Sequence, residues 1–84
     1  MTTIQDLLSI WDDNSEAIEQ IQECLWEAED IINEKYGSDV EVEVEEVDEG
    51  EYEIVIEGCT AEIQEELLEE ATNYASENYP ELFF

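Results

Sequence analysis

Two hydrophobic periods divide the chain. Near its start, Ile4, Leu7, Leu8 and Trp11 recur at i, i+3, i+4 and i+7, the spacing of one face of a short helix. Thr3 followed by Asp6 has the form of a capping box for it. Asp12-Asp13-Asn14-Ser15 interrupts the pattern. Asp13 or Asn14 can cap a second helix, with Glu16 in the first turn, where the helix dipole favours an acid. Ile18, Ile21, Leu25, Ala28 and Ile32 then step 3-4-3-4 and predict a long helix to about Tyr36. Gly37 suits the residue just past its end, and Lys35 stands in the last turn, where a cation is favoured.

The middle of the chain changes to period two. Val40, Val42 and Val44 alternate with Glu41, Glu43 and Glu45; Tyr52, Ile54 and Ile56 alternate with Glu51, Glu53, Val55 and Glu57. Asp48-Glu49-Gly50 between them reads as a three-residue hairpin loop with Gly in the left-handed position. Val47 breaks the parity of the first strand, so a bulge or an early end is expected there. Gly58 closes the hairpin. Thr60 can cap a last helix with the apolar stripe Ile63, Leu67, Ala71, Tyr74 and Ala75, ending near Asn78 before Tyr79-Pro80. The expected architecture is a small single α+β domain over 1–84, in the order helix, helix, β-hairpin, helix. Its two-stranded antiparallel sheet packs on the helices, and residues 79–84 form an apolar tail. A bare hairpin is marginal, so helices or a second copy of the chain must back it.

Composition changes the picture. The chain has 84 residues, 27 Asp and Glu, a single Lys, no Arg and no His, for a net charge of −26. The usual general bases and phosphate clamps are therefore missing, and no catalytic residues and no cofactor are expected. Direct nucleic-acid binding needs cations to displace counterions, and an anionic membrane surface would repel this chain. Yet 43% of residues are hydrophobic, including two Trp, four Tyr and two Phe, so a folded core is expected rather than an acidic coil. No basic leader and no long apolar run is present, which points to a cytoplasmic protein; Cys24 and Cys59 are then expected to be reduced.

The acids are ordered. Glu16, Glu19, Glu23, Glu27, Asp30 and Glu34 step along the second helix opposite its apolar stripe, over about 27 Å at about 1.5 Å per residue. Glu62, Glu65, Glu66, Glu69, Glu70 and Glu77 are expected on the outer face of the last helix, and Glu41, Glu43, Glu45, Glu51, Glu53 and Glu57 on one face of the hairpin. Like charges at such spacings oppose helices by about 0.2–0.5 kcal/mol per pair and also oppose sheets. A surface built only for solubility would mix signs and stop near a net charge of about 2–8 in magnitude. Trp26 falls beside the acidic stripe, off the apolar one, and is a candidate interface aromatic. The partner-binding candidates are thus Glu16, Glu19, Glu23, Trp26, Glu27, Asp30, Glu34, Glu43, Glu45, Glu51, Glu53, Glu62, Glu66 and Glu69.

These carboxylate stripes on a small helical body resemble the DNA-mimic proteins of phages and mobile elements, the anti-restriction and anti-CRISPR type. The resemblance is one of charge and size across the whole chain. It implies stoichiometric inhibition of a basic nucleic-acid-binding protein, such as a CRISPR effector or restriction enzyme, often by a homodimer in the host cytoplasm. Two other readings explain the acidity: an immunity protein or antitoxin for a basic nuclease, and adaptation to high salt. Asp12, Asn14, Glu16 and Glu23 fall at positions 1, 3, 5 and 12 of a calcium loop, but Ala17 occupies the position that needs Gly, so no metal site is expected.

Overall fold

A computed structural model describes residues 2–83. Helix α1 spans Ile4–Ile10, and its capping box is formed: the Asp6 amide donates to Thr3 Oγ1 at 3.3 Å and the Thr3 amide to Asp6 Oδ2 at 3.1 Å. Helix α2 spans Ser15–Tyr36. Asn14 rather than Asp13 is its cap, accepting the Ala17 amide at 3.1 Å. Gly37 ends it with φ 63°, a left-handed conformation that a side chain would strain. At about 1.5 Å per residue α2 is about 33 Å long, close to the 35 Å longest dimension of the domain.

Strands β1 (Glu41–Asp48) and β2 (Glu51–Glu57) pair antiparallel. The expected irregularity at Val47 is a bulge: Glu46 pairs with Tyr52 but Asp48 pairs with Glu51. This corrects the loop. Asp48 belongs to the strand, and the turn is the two residues Glu49-Gly50, with Gly50 at φ 79°. Helix α3 spans Ala61–Asn78; Thr60 caps it through the Ile63 amide. Pro80–Leu82 then makes one 3-10 turn. Leu82 is buried and its carbonyl accepts the Trp11 indole N–H at 3.2 Å, so this part of the tail docks onto the chain's own core. Phe83 packs against the same core, and Phe84 lies outside the described residues.

The core joins Ile4, Leu7 and Leu8 of α1, Ile18, Ile21, Leu25, Ala28 and Ile32 of α2, Leu67, Ala71 and Ala75 of α3, and Val40 and Val42. Val44, Tyr52, Ile54 and Ile56 close it from the inner face of the sheet. Two polar side chains fasten the layers. Buried Thr72 accepts the Ile4 amide at 3.0 Å and donates to the Leu68 carbonyl at 2.8 Å. Asn33 donates to the Val40 carbonyl at 3.0 Å and accepts the Val40 amide at 2.7 Å, tying the end of α2 to the start of the hairpin. Among the described residues, no helix is long and apolar enough to cross a membrane.

Candidate functional site

Burial of one face of α2 dictates what the other presents. With Ile18, Ile21, Leu25, Ala28 and Ile32 inside, Glu16, Glu19, Glu23, Glu27, Asp30 and Glu34 are all exposed on a single stripe. Trp26 stands beside that stripe and is 49% exposed. Glu23 is held in place by its neighbours' tail: the Tyr79 hydroxyl donates to Glu23 Oε2 at 2.7 Å. That bond, with burial adding to it, pushes the Tyr79 hydroxyl up to about 12.

The hairpin carries the second part of the array. Glu41 lies opposite Glu57 and Glu45 opposite Glu53, while Glu43 faces Val55 and Glu51 faces Asp48. The predicted Glu43, Glu45, Glu51 and Glu53 are all exposed. Glu41, Glu43, Glu45, Val55 and Glu57 line one shallow hollow on the outer face of the sheet.

Glu29 joins the two parts, and sequence reasoning missed it. It is half-buried where the flank of α2 meets β1. Burial raises its carboxyl above the ordinary value, and Glu41, Asp30 and Asp39 raise it further, against an offset from the Val42 backbone. Glu29 is therefore close enough to Glu41, at the start of β1, for the two charges to interact. The one signal in the sequence is that Glu29 follows Ala28 at the edge of the apolar stripe, where a neighbouring element must pack.

Helix α3 departs from expectation. Glu62 and Glu69 are exposed as predicted, but Glu69 lines a hollow with Glu65, Thr3 and Gln5 at the start of α1. Glu66 is not on the outer face. It is half-buried against the end of α2, where it accepts Lys35 Nζ at 3.2 Å and the Tyr36 hydroxyl at 2.6 Å. The Tyr36 bond, reinforced by Lys35, holds the Glu66 carboxyl below its ordinary value. The only cationic side chain of the protein is thus spent on the α2–α3 seam, and Glu66 leaves the candidate set. Glu70 and Glu77 line a hollow with Ile31 and Tyr74 at the α2–α3 seam.

Glu16 and Glu23 lie within α2 rather than in a loop, and among the described residues no cluster of three or more His, Cys, Asp or Glu is arranged to hold a metal ion. Cys24 is buried and Cys59 half-buried, and both are thiols. Burial pushes the Cys24 thiol up to about 12, with Glu23 adding to it, so it is a poor nucleophile.

The exposed surface of 5392 Å² carries a net charge of −26, or about 200 Å² per charge on average. Duplex DNA, taken as a cylinder about 20 Å wide with one charge per about 1.7 Å of axis, carries roughly one per 100 Å². The average density is therefore about half that of the duplex. The six-acid stripe alone, about 27 Å long, matches the axial length of about eight base pairs. The chain matches no protein-family model, no curated protein and no solved structure.

Proposed function

We propose that the protein is a DNA-mimicking inhibitor that blocks the nucleic-acid-binding surface of a host defence protein of the CRISPR or restriction type. One observation carries this reading: carboxylates at near-regular spacing, on a single stripe of a 22-residue helix, continuing through Glu29 toward the hairpin. A DNA-binding channel presents Lys and Arg spaced for phosphates. Glu16, Glu19, Glu23, Glu27, Asp30 and Glu34 sit against those cations, and Glu43, Glu45, Glu51 and Glu53 extend the contact. The array is carried on a helix and a paired hairpin, so little ordering entropy is lost on binding. The field of the whole chain steers association, which slows steeply as salt rises.

The test is a pull-down from host lysate at about 0.15 M salt, followed by elution with duplex DNA. The expected result is a nucleic-acid-binding protein that DNA displaces and whose DNA binding the acidic protein abolishes at one-to-one stoichiometry. Recovery only of partners that DNA fails to displace would overturn the reading.

A further inference from the structure

We propose that Trp26 is an arginine-stacking anchor within the α2 carboxylate stripe, so that the partner presents an arginine, and not merely positive charge, at this point. The inference rests on the partner being a basic protein surface. Trp26 is 49% exposed, and its indole makes no hydrogen bond among the described residues. Glu23 stands one turn before it and Asp30 one turn after, both exposed, with Cβ atoms about 5–6 Å from its own by helix geometry. An indole face is negative and is the best of the aromatic cation acceptors.

Among the described residues, no cation lies over that face. The chain's single lysine, Lys35, is bound to Glu66 at 3.2 Å and lies over the Tyr36 ring at 5.4 Å. Tyr36, the other exposed aromatic among the described residues, is thereby occupied, whereas Trp26 has a cation-binding face, two flanking carboxylates and, among those residues, no cation. A cationic side chain from outside complements all three.

Arginine fits better than lysine. Its guanidinium is flat, so it stacks on the ring while the N–H groups at its edge reach the carboxylates on either side. Lysine offers a compact, strongly hydrated charge that cannot do both. Asp30, one turn on and exposed, is the carboxylate without a hydrogen bond of its own among the described residues, whereas Glu23 already accepts the Tyr79 hydroxyl at 2.7 Å. A contact of this kind acts at short range and slows dissociation, whereas the surrounding acids govern association.

The test uses synthetic nona-arginine and nona-lysine peptides in about 0.15 M salt, with affinity from calorimetry and the two indole N–H resonances followed by NMR. The expected result is that nona-arginine shifts the Trp26 indole resonance saturably and that Trp26→Ala weakens it about tenfold, or about 1.4 kcal/mol, while nona-lysine loses less than threefold. Equal losses for the two peptides, no loss for either, or a Trp26 resonance that stays still while nona-arginine binds would each overturn the proposal. The resonance is read on the unaltered protein, so the test does not depend on the variant. The two readings fail separately. Arginine selectivity through Trp26 with no DNA-displaceable partner in lysate sinks the DNA mimic and keeps the anchor. A DNA-displaceable partner with peptide binding indifferent to Trp26 does the reverse.

Discussion

Reversing Glu19 and Glu27 to Lys should make the domain more stable and, under the proposed function, a worse inhibitor. Both residues lie on the exposed stripe of α2. Glu19 has Glu16 and Glu23 within one turn, and Glu27 has Glu23 and Asp30. The double variant therefore converts four like-charge pairs into attractive ones. Each repulsion removed and each attraction added is worth about 0.2–0.5 kcal/mol at low ionic strength. At the low end of that range the eight increments give about 1.6 kcal/mol, a rise in Tm of about 6–13 °C for a domain of this size. Glu23 is left alone because it holds Tyr79, and its reversal would mix a broken hydrogen bond with the charge effect. Thermal unfolding followed by circular dichroism in about 0.02 M salt reads the gain. In about 1 M salt, where screening reaches about 3 Å, the gap between variant and wild type should close. Under the proposed function, the same variant places two cations at the centre of the contact stripe, so capture of a DNA-displaceable partner should be lost. A Tm equal to or below that of the wild type in low salt would refute the reasoning, as would a gain that survives 1 M salt. A stabilised variant that still captures its partner undiminished would refute the role given to the stripe.

Glu29→Gln should raise Tm at neutral pH and flatten its pH dependence. The Glu29 carboxyl is raised in the folded state, so it opposes folding above that raised value, and the opposition fades as pH falls through it and is gone below the unfolded value. Glu66 has the opposite sign: its lowered carboxyl stabilises the fold above the unfolded value, and that is lost as pH falls through the folded one. Acid unfolding of Glu66→Gln should accordingly begin from a lower stability and show a shallower slope. At the alkaline end, Tyr79 titrates near 12 because its hydroxyl serves Glu23; the bond's contribution is complete below about 10 and lost as pH rises through about 12. Absorbance at the phenolate band should show a late component that Tyr79→Phe removes. Asn33→Ala leaves the Val40 amide and carbonyl without their partner and should cost about 2 kcal/mol, lowering Tm by about 8–16 °C. Finally, circular dichroism should find the chain folded at about 0.15 M salt; a requirement for molar salt would favour adaptation to brine over a dedicated partner.

The order of elements was legible because each apolar stripe has one period and one boundary residue: Asn14, Gly37, Thr60 and the Val47 bulge all act locally. What was not legible depends on how elements meet. The turn length was misread because a bulge moves Asp48 opposite Glu51, and parity alone cannot say whether the extra residue belongs to the strand or the loop. Glu66 was misplaced for a similar reason. Its angle on α3 places it beside the outer acids, but α3 crosses the end of α2, where Lys35 and Tyr36 wait. Thr72 and Asn33 carry no period at all; their partners, the backbones of Ile4 and Val40, are set by tertiary contact. The α2 stripe needed none of this information, because helix geometry alone aligns its six acids.

The fastenings and the repulsion belong to one design problem. A domain of −26 must hold like charges close together without letting them spread, and a small hydrophobic core gives thin stability with which to do it. The polar ties fall where spreading would begin. Tyr79 pins α2 to the tail through Glu23, Lys35 and Tyr36 pin α2 to α3 through Glu66, and Asn33 pins α2 to the hairpin. The last of these seams also holds Glu29, whose carboxyl is raised first by burial and then by the neighbouring Glu41, Asp30 and Asp39. Under the proposed function, a basic partner seated across that seam would neutralise the repulsion there. The strain of the free protein would then become part of its affinity for that partner, because energy spent on holding the carboxylates together is recovered when a cation arrives between them.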